Sequence, residues 1–210
     1  MISLLKQKVS KHIKDNKILY SLLFAAYLVG SLAGGIAARM STDTTERLLE
    51  DVTIFFSAYS LVGADGLAIF TQSALNNIQV VFFIFLCGFF VLTTPLIFLR
   101  IGFLGFRLGF STVFFISAYG AGGVMLAALM VWLPNLVFLI GVFHFAMLTN
   151  RSALRIRKLK SGVYAKPAAR KLYLNQVQEF LFITALAVLI SGLESFVLPV
   201  ILRPISGLLL

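Results

Sequence analysis

ILYSLLFAAYLVGSLAGGIAA, residues 18–38, decides what kind of protein this is. No charge interrupts it, and about 20 apolar residues rising ~1.5 Å each cover the ~30 Å hydrocarbon core of a bilayer. The stretch before it, KQKVSKHIKDNK, carries five lysines. A secretory signal also begins basic and turns apolar, but its apolar part runs only ~7–15 residues, so an uncleaved first span fits better.

Outward from that run the chain stays apolar. Of its 210 residues 60% are apolar and 21 are Phe, with a mean hydropathy of +0.97, which describes a chain dissolved mostly in hydrocarbon. Further runs at 77–99, 101–119, 123–148 and 178–202 predict an all-α polytopic transmembrane bundle of about five spanning helices, one integral membrane domain over 1–210. Between and around them lie a basic start (1–17), an outer amphipathic segment (41–75) and a basic loop (150–176). No length is left for a soluble catalytic domain.

Charge orients the spans. Five of the 18 basic residues precede the first span and eight lie in RSALRIRKLKSGVYAKPAARK (151–171), while five of the eight acids fall between spans one and two. The positive-inside rule then predicts a cell-membrane protein with its N-terminus and the 150–176 loop in the cytoplasm. Arg100 falls on that side in the link between spans two and three, and Arg107 can snorkel back toward it. Five spans leave the C-terminus outside. The net charge of +10 is thus read as topology plus attraction to anionic inner-leaflet lipid, not as nucleic-acid binding.

The outer segment STDTTERLLEDVTIFFSAY has an Asp43 cap with Glu46 three residues on, then Phe55, Phe56 and Tyr59 on an apolar stripe opposite Glu46, Arg47, Glu50 and Asp51. With LAIFTQSAL (67–75) it reads as two amphipathic helices on the outer surface. Phe55, Phe56 and Tyr59 either cover the bundle or dock a partner.

Within the spans the polar and small residues are few. Glu194, in ISGLESFVLPVIL (190–202), lies about 12 Å below an outer end at Leu202, at ~1.5 Å per residue. Asn135 comes to a similar depth, and an unpaired acid there costs several kcal/mol. Glu194, Asn135 and Asn77 therefore make a candidate intramembrane polar pocket, whose plainer alternative is a structural interhelical hydrogen bond. Pro134, Pro199 and Pro95 are expected to bend or break helices. Gly30 with Gly34, and Gly105 with Gly109, space glycine by four, a pattern for close helix packing, within the chain or in a homodimer through span one.

Enzyme chemistry finds no support. There is no HExxH, phosphate-binding loop or nucleophile elbow, His12 reads as a solvated residue of the basic start, His144 has no acid near it in sequence, and the single Cys87 forms no cluster, so neither a cofactor nor a metal is expected.

ALNNIQVVFFIFLCG (74–88), TTPLIFLRIGFLGFRLGF (93–110), WLPNLVFLIGVF (132–143) and LESFVLPV (193–200), in this order along nearly the whole chain, resemble the stage II sporulation protein M family of integral membrane proteins. The resemblance implies a bacterial membrane scaffold without chemistry of its own. In sporulating bacteria the family member anchors an engulfment machine: it recruits a membrane-tethered peptidoglycan amidase/endopeptidase, which in turn recruits a lytic transglycosylase. The alternative from the residues alone is a small transporter for a lipid-linked or small substrate, with Glu194 in its pathway.

Overall fold

The computed structural model describes residues 16–40, 66–90, 93–160 and 166–197, with side chains described up to 153 and again over 174–196. Among these residues the chain is helical: α1 Lys17–Met40, α2 Gly66–Cys87, α3 Thr94–Leu126, α4 Leu133–Lys160 and α5 Lys166–Gly192. Two π-helical segments, Ala127–Trp132 and Leu193–Val197, follow α3 and α5.

Among the described residues, four stretches are long and apolar enough to cross a bilayer: Lys17–Met40, Gly66–Cys87, Thr94–Ala153 and Leu174–Phe196. The third has 60 residues; as one straight helix it would run ~90 Å, three times the hydrocarbon core. It folds back at Gly120, whose φ of 56° and ψ of −126° suit a residue without a Cβ. Past that point Gly123 lies so close to the Phe115 carbonyl that a Cβ would overlap it. Leu126 packs on Phe115 and Tyr119. Trp132 Nε1 donates to Thr112 Oγ1 at 3.0 Å, although twenty residues of straight helix would separate them by ~30 Å. The two arms are antiparallel, and the stretch supplies two passes.

Gly120→Ala should therefore cost about 1–3 kcal/mol, whereas Gly192→Ala, where a Cβ meets nothing within 4 Å, should be neutral or slightly stabilising. Thermal unfolding in detergent compares the two, and equal melting would contradict the fold-back.

All five helices contribute to one core: Leu23 and Tyr27 from α1, Val81 and Ile84 from α2, Ile97 and Ile101 from α3, Val142 and Phe145 from α4, Ile183 and Ala187 from α5. The buried Cys87 belongs to it. Leu32, Leu99, Ile140 and Phe182 point outward and stay exposed, as on a bundle whose surroundings are lipid. Along α1 and α3, which run parallel, the packing is by backbone. A Cβ on Gly30 would overlap the Gly102 carbonyl, on Gly34 that of Phe106, on Gly105 that of Tyr27 and on Gly109 that of Ser31. Both glycine pairs are thus used within the chain, and this face of α1 is not available to a second copy.

Several boundaries depart from the sequence reading. Span two is not 77–99 but Gly66–Cys87, and LAIFTQSAL is its opening turns rather than a separate surface helix. The apolar run continues past Cys87, but the helix ends there. Gln176 Nε2 donates to the Phe85 carbonyl at 3.2 Å and Thr93 Oγ1 to that of Cys87 at 2.6 Å, satisfying carbonyls that a helix end leaves open. Gly88 makes this possible, since a Cβ there would overlap the Gln176 amide. Pro95 does not break a span; it sits in the first turn of α3, where its missing N–H costs nothing. Span three accordingly begins at Thr94 rather than 101, and Arg100 lies inside it rather than in the link, its guanidinium 5.9 Å from the Phe83 ring centre and 5.8 Å from that of Phe103.

The basic loop is also shorter than 150–176. The α4 backbone stays helical to Lys160 and α5 begins at Lys166. Charge keeps such a segment out of lipid, but Ala, Leu, Lys and Arg are strong helix formers, so polarity does not end the helix.

Candidate functional site

Ser73 and Asn77 are four residues apart on α2 and so share one face. Opposite them on the antiparallel α5 and the π segment after it stand Ser191 and Glu194. The Ser73 hydroxyl donates to a Glu194 carboxylate oxygen. Asn77 Nδ2 donates to Ser191 Oγ at 3.0 Å and more weakly to Ser73 Oγ at 3.5 Å. Ser191, fully buried, donates its own hydroxyl to the Ala187 carbonyl at 2.9 Å, and Ser73 Oγ and Ser191 Oγ are 3.1 Å apart.

This arrangement accepts Glu194 in either protonation state. With a carboxylate, Ser73 donates to it and accepts from Asn77. With a carboxylic acid, Glu194 donates to Ser73, whose hydroxyl turns to donate to Ser191. Besides the proton on Glu194 itself, only hydroxyl rotations separate the two patterns. Arg107 on α3 lies within Coulombic reach of Glu194. Arg107 is within Coulombic reach of Arg100 as well; toward Glu194 it supplies a positive field to an acid in an apolar medium.

Toward Gly66 the site is flanked by aromatic packing. Phe196 lies against Phe70, ring centres 6.3 Å apart. A Cβ at Gly66 would stand 3.1 Å from the Phe196 ring. Of the polar residues that made 67–75 look interfacial, Ser73 is met between α2 and α5, whereas Thr71 is exposed and its Oγ1 returns to its own helix at the Ala68 carbonyl, 2.9 Å away.

Of the sequence-derived pocket, Glu194 and Asn77 come together and Asn135 does not. Asn135 Nδ2 donates to the Val131 carbonyl of its own helix at 2.7 Å. The cause is Pro134. Its ring clashes with a normal α-turn and its nitrogen offers no proton, and the helix widens into the π segment Ala127–Trp132 instead of breaking. Asn135 then supplies a donor to the widened turn. The second π segment, Leu193–Val197, likewise ends two residues before a proline in sequence, and it carries Glu194. Ser73 and Ser191, the direct partners, went unread; their signal was the small-polar spacing SxxxN on one span and SxxE on the other. His144, near the other end, pairs with the Tyr20 hydroxyl at 3.1 Å. Pro199 and the proposed docking face Phe55, Phe56 and Tyr59 lie outside the described residues.

No curated protein and no solved structure matches the chain. The sequence model of the family described as Stage II sporulation protein M matches residues 21–199, which include every residue of the site just described. With its spanning helices and a match over most of its length, this multi-pass membrane protein belongs to the stage II sporulation protein M family.

Proposed function

We propose that this protein is a non-enzymatic membrane scaffold that recruits and localises membrane-tethered peptidoglycan hydrolases, as in engulfment during sporulation. Its N-terminus and basic loop face the cytoplasm, and its C-terminus and the 41–65 segment face outward. Family membership over residues 21–199 carries the reading. The state of Glu194 supports it. Ser73 hydrogen-bonds the acid within the same chain, so the acid has a task in joining α2 to α5 without any transported substrate.

Photoreactive residues placed at Phe56 and Tyr59, followed by crosslinking in native membranes and mass spectrometry, test the proposal. The expected product is an adduct with a membrane-tethered wall hydrolase, retained when Glu194 is changed to Gln. Adducts to lipid or to the protein itself alone would overturn it.

A further inference from the structure

At the end of the bundle opposite Glu194, where α1 begins, α4 and α5 enclose a cavity of about 350 Å³. Its wall is apolar at Phe145 and Leu148 and polar at Thr149, Arg151, Gln176 and Glu179. Two of the polar residues are buried, Thr149 at 0% and Gln176 at 5% exposure. Each has a buried side-chain oxygen, Thr149 Oγ1 and Gln176 Oε1, with no hydrogen-bond partner among the described residues.

The orientation of the Gln176 amide is fixed by chemistry. Its Nε2 faces a carbonyl, Phe85 O, at 3.2 Å and must be the donor there. Oε1 is left as a buried acceptor. An unmet buried acceptor costs about 1–3 kcal/mol, so a site that keeps one beside a cavity is suited to a donor from outside. Glu179 adds a second acceptor, a charged one, and Arg151 adds a cation with donors. Among the described residues Arg151 and Glu179 form no ion pair with each other, although both line the same cavity.

We propose that this cavity binds a zwitterionic group in which a primary ammonium and a phosphate are a few bonds apart. The ammonium donates to the Glu179 carboxylate and Gln176 Oε1, while the phosphate accepts from Arg151 and the Thr149 hydroxyl. Phosphoethanolamine has this chemistry, either as the headgroup of a membrane phospholipid, whose chains would run along Leu148, or as a soluble glycerophosphoethanolamine. A quaternary ammonium lacks the N–H donors that Gln176 Oε1 needs, and a glycerol headgroup leaves Glu179 facing no cation. The inference does not depend on the scaffold reading.

Native mass spectrometry of the full-length purified protein, with equimolar phosphatidylethanolamine, phosphatidylcholine and phosphatidylglycerol, tests it. Phosphatidylethanolamine should be retained at least about tenfold over the other two, the ~1.4 kcal/mol and upward of a charge-assisted hydrogen bond. Glu179→Gln and, separately, Arg151→Gln should each reduce that preference severalfold. Both sites are only partly buried, so both variants are expected to fold, and unchanged circular dichroism and elution volume check this. Millimolar glycerophosphoethanolamine separates the sources: displacement of the lipid by it assigns the site to the headgroup alone, and resistance assigns it to the intact lipid. Equal retention of the three lipids, or a preference that survives both substitutions, would overturn the proposal.

Discussion

Replacing Gly105 with alanine should loosen α1 from α3 and cost about 3 kcal/mol or more, the upper range for overpacking a well-fitted interior. The added methyl has nowhere to go, because it would overlap the Tyr27 carbonyl and the atoms around it are backbone, not a flexible side chain. Only a separation of the two helices relieves the clash. In lipid that separation forfeits van der Waals packing with no compensating hydrophobic gain, since acyl chains are as apolar as the helix faces they would replace. Gly30→Ala should behave similarly, since its Cβ would overlap the Gly102 carbonyl from the opposing helix. Denaturation in mixed micelles, read by circular dichroism, measures both against Gly192→Ala. A Gly105→Ala protein as stable as the parent would rule out backbone-to-backbone packing between these helices.

Ser73→Ala should be the most damaging change in the polar site, at about 2–3 kcal/mol, because it takes the hydrogen-bond donor from a partly buried acid. Glu194→Gln should cost under about 1 kcal/mol, since its amide oxygen still accepts from Ser73. The sign of a double change discriminates further. Ser73→Ala combined with Glu194→Leu removes both partners, and replacing a pair by apolar groups is often nearly neutral, so the double variant should be more stable than Ser73→Ala alone. If instead the two losses simply add, Ser73 and Glu194 are not coupled and the network is not what joins α2 to α5.

How much of this was legible along the chain follows from what each signal measures. The apolar runs measured solvent, and they identified a multi-pass helical bundle correctly. They could not mark where helices stop, because the residues that follow a helix, as Gly88, Phe89 and Phe90 follow α2, can be as apolar as the span itself. The stop came from Gln176, distant in sequence, which caps the end of α2 at the Phe85 carbonyl. Polarity misled in the opposite direction at Ser73, which reads as a surface residue and is met between α2 and α5. The candidate pocket was half legible: depth along the helix put Glu194 and Asn135 level, but depth carries no information about the direction a side chain faces around its helix.

By itself the sequence determined the class of solvent, the helical architecture, the close-packing glycines and the presence of one acid needing a partner. These are properties of composition and local spacing, set by the cost of burying charge and unpaired backbone in hydrocarbon. Which glycine pair meets which, that Gly120 folds a 60-residue apolar stretch in two, and that Ser73 rather than Asn135 receives Glu194 were decided only by tertiary structure. Each depends on the rotation and mutual registry of helices far apart in the chain, and in a bilayer those are set by the fit of facing surfaces, a property no single helix carries alone.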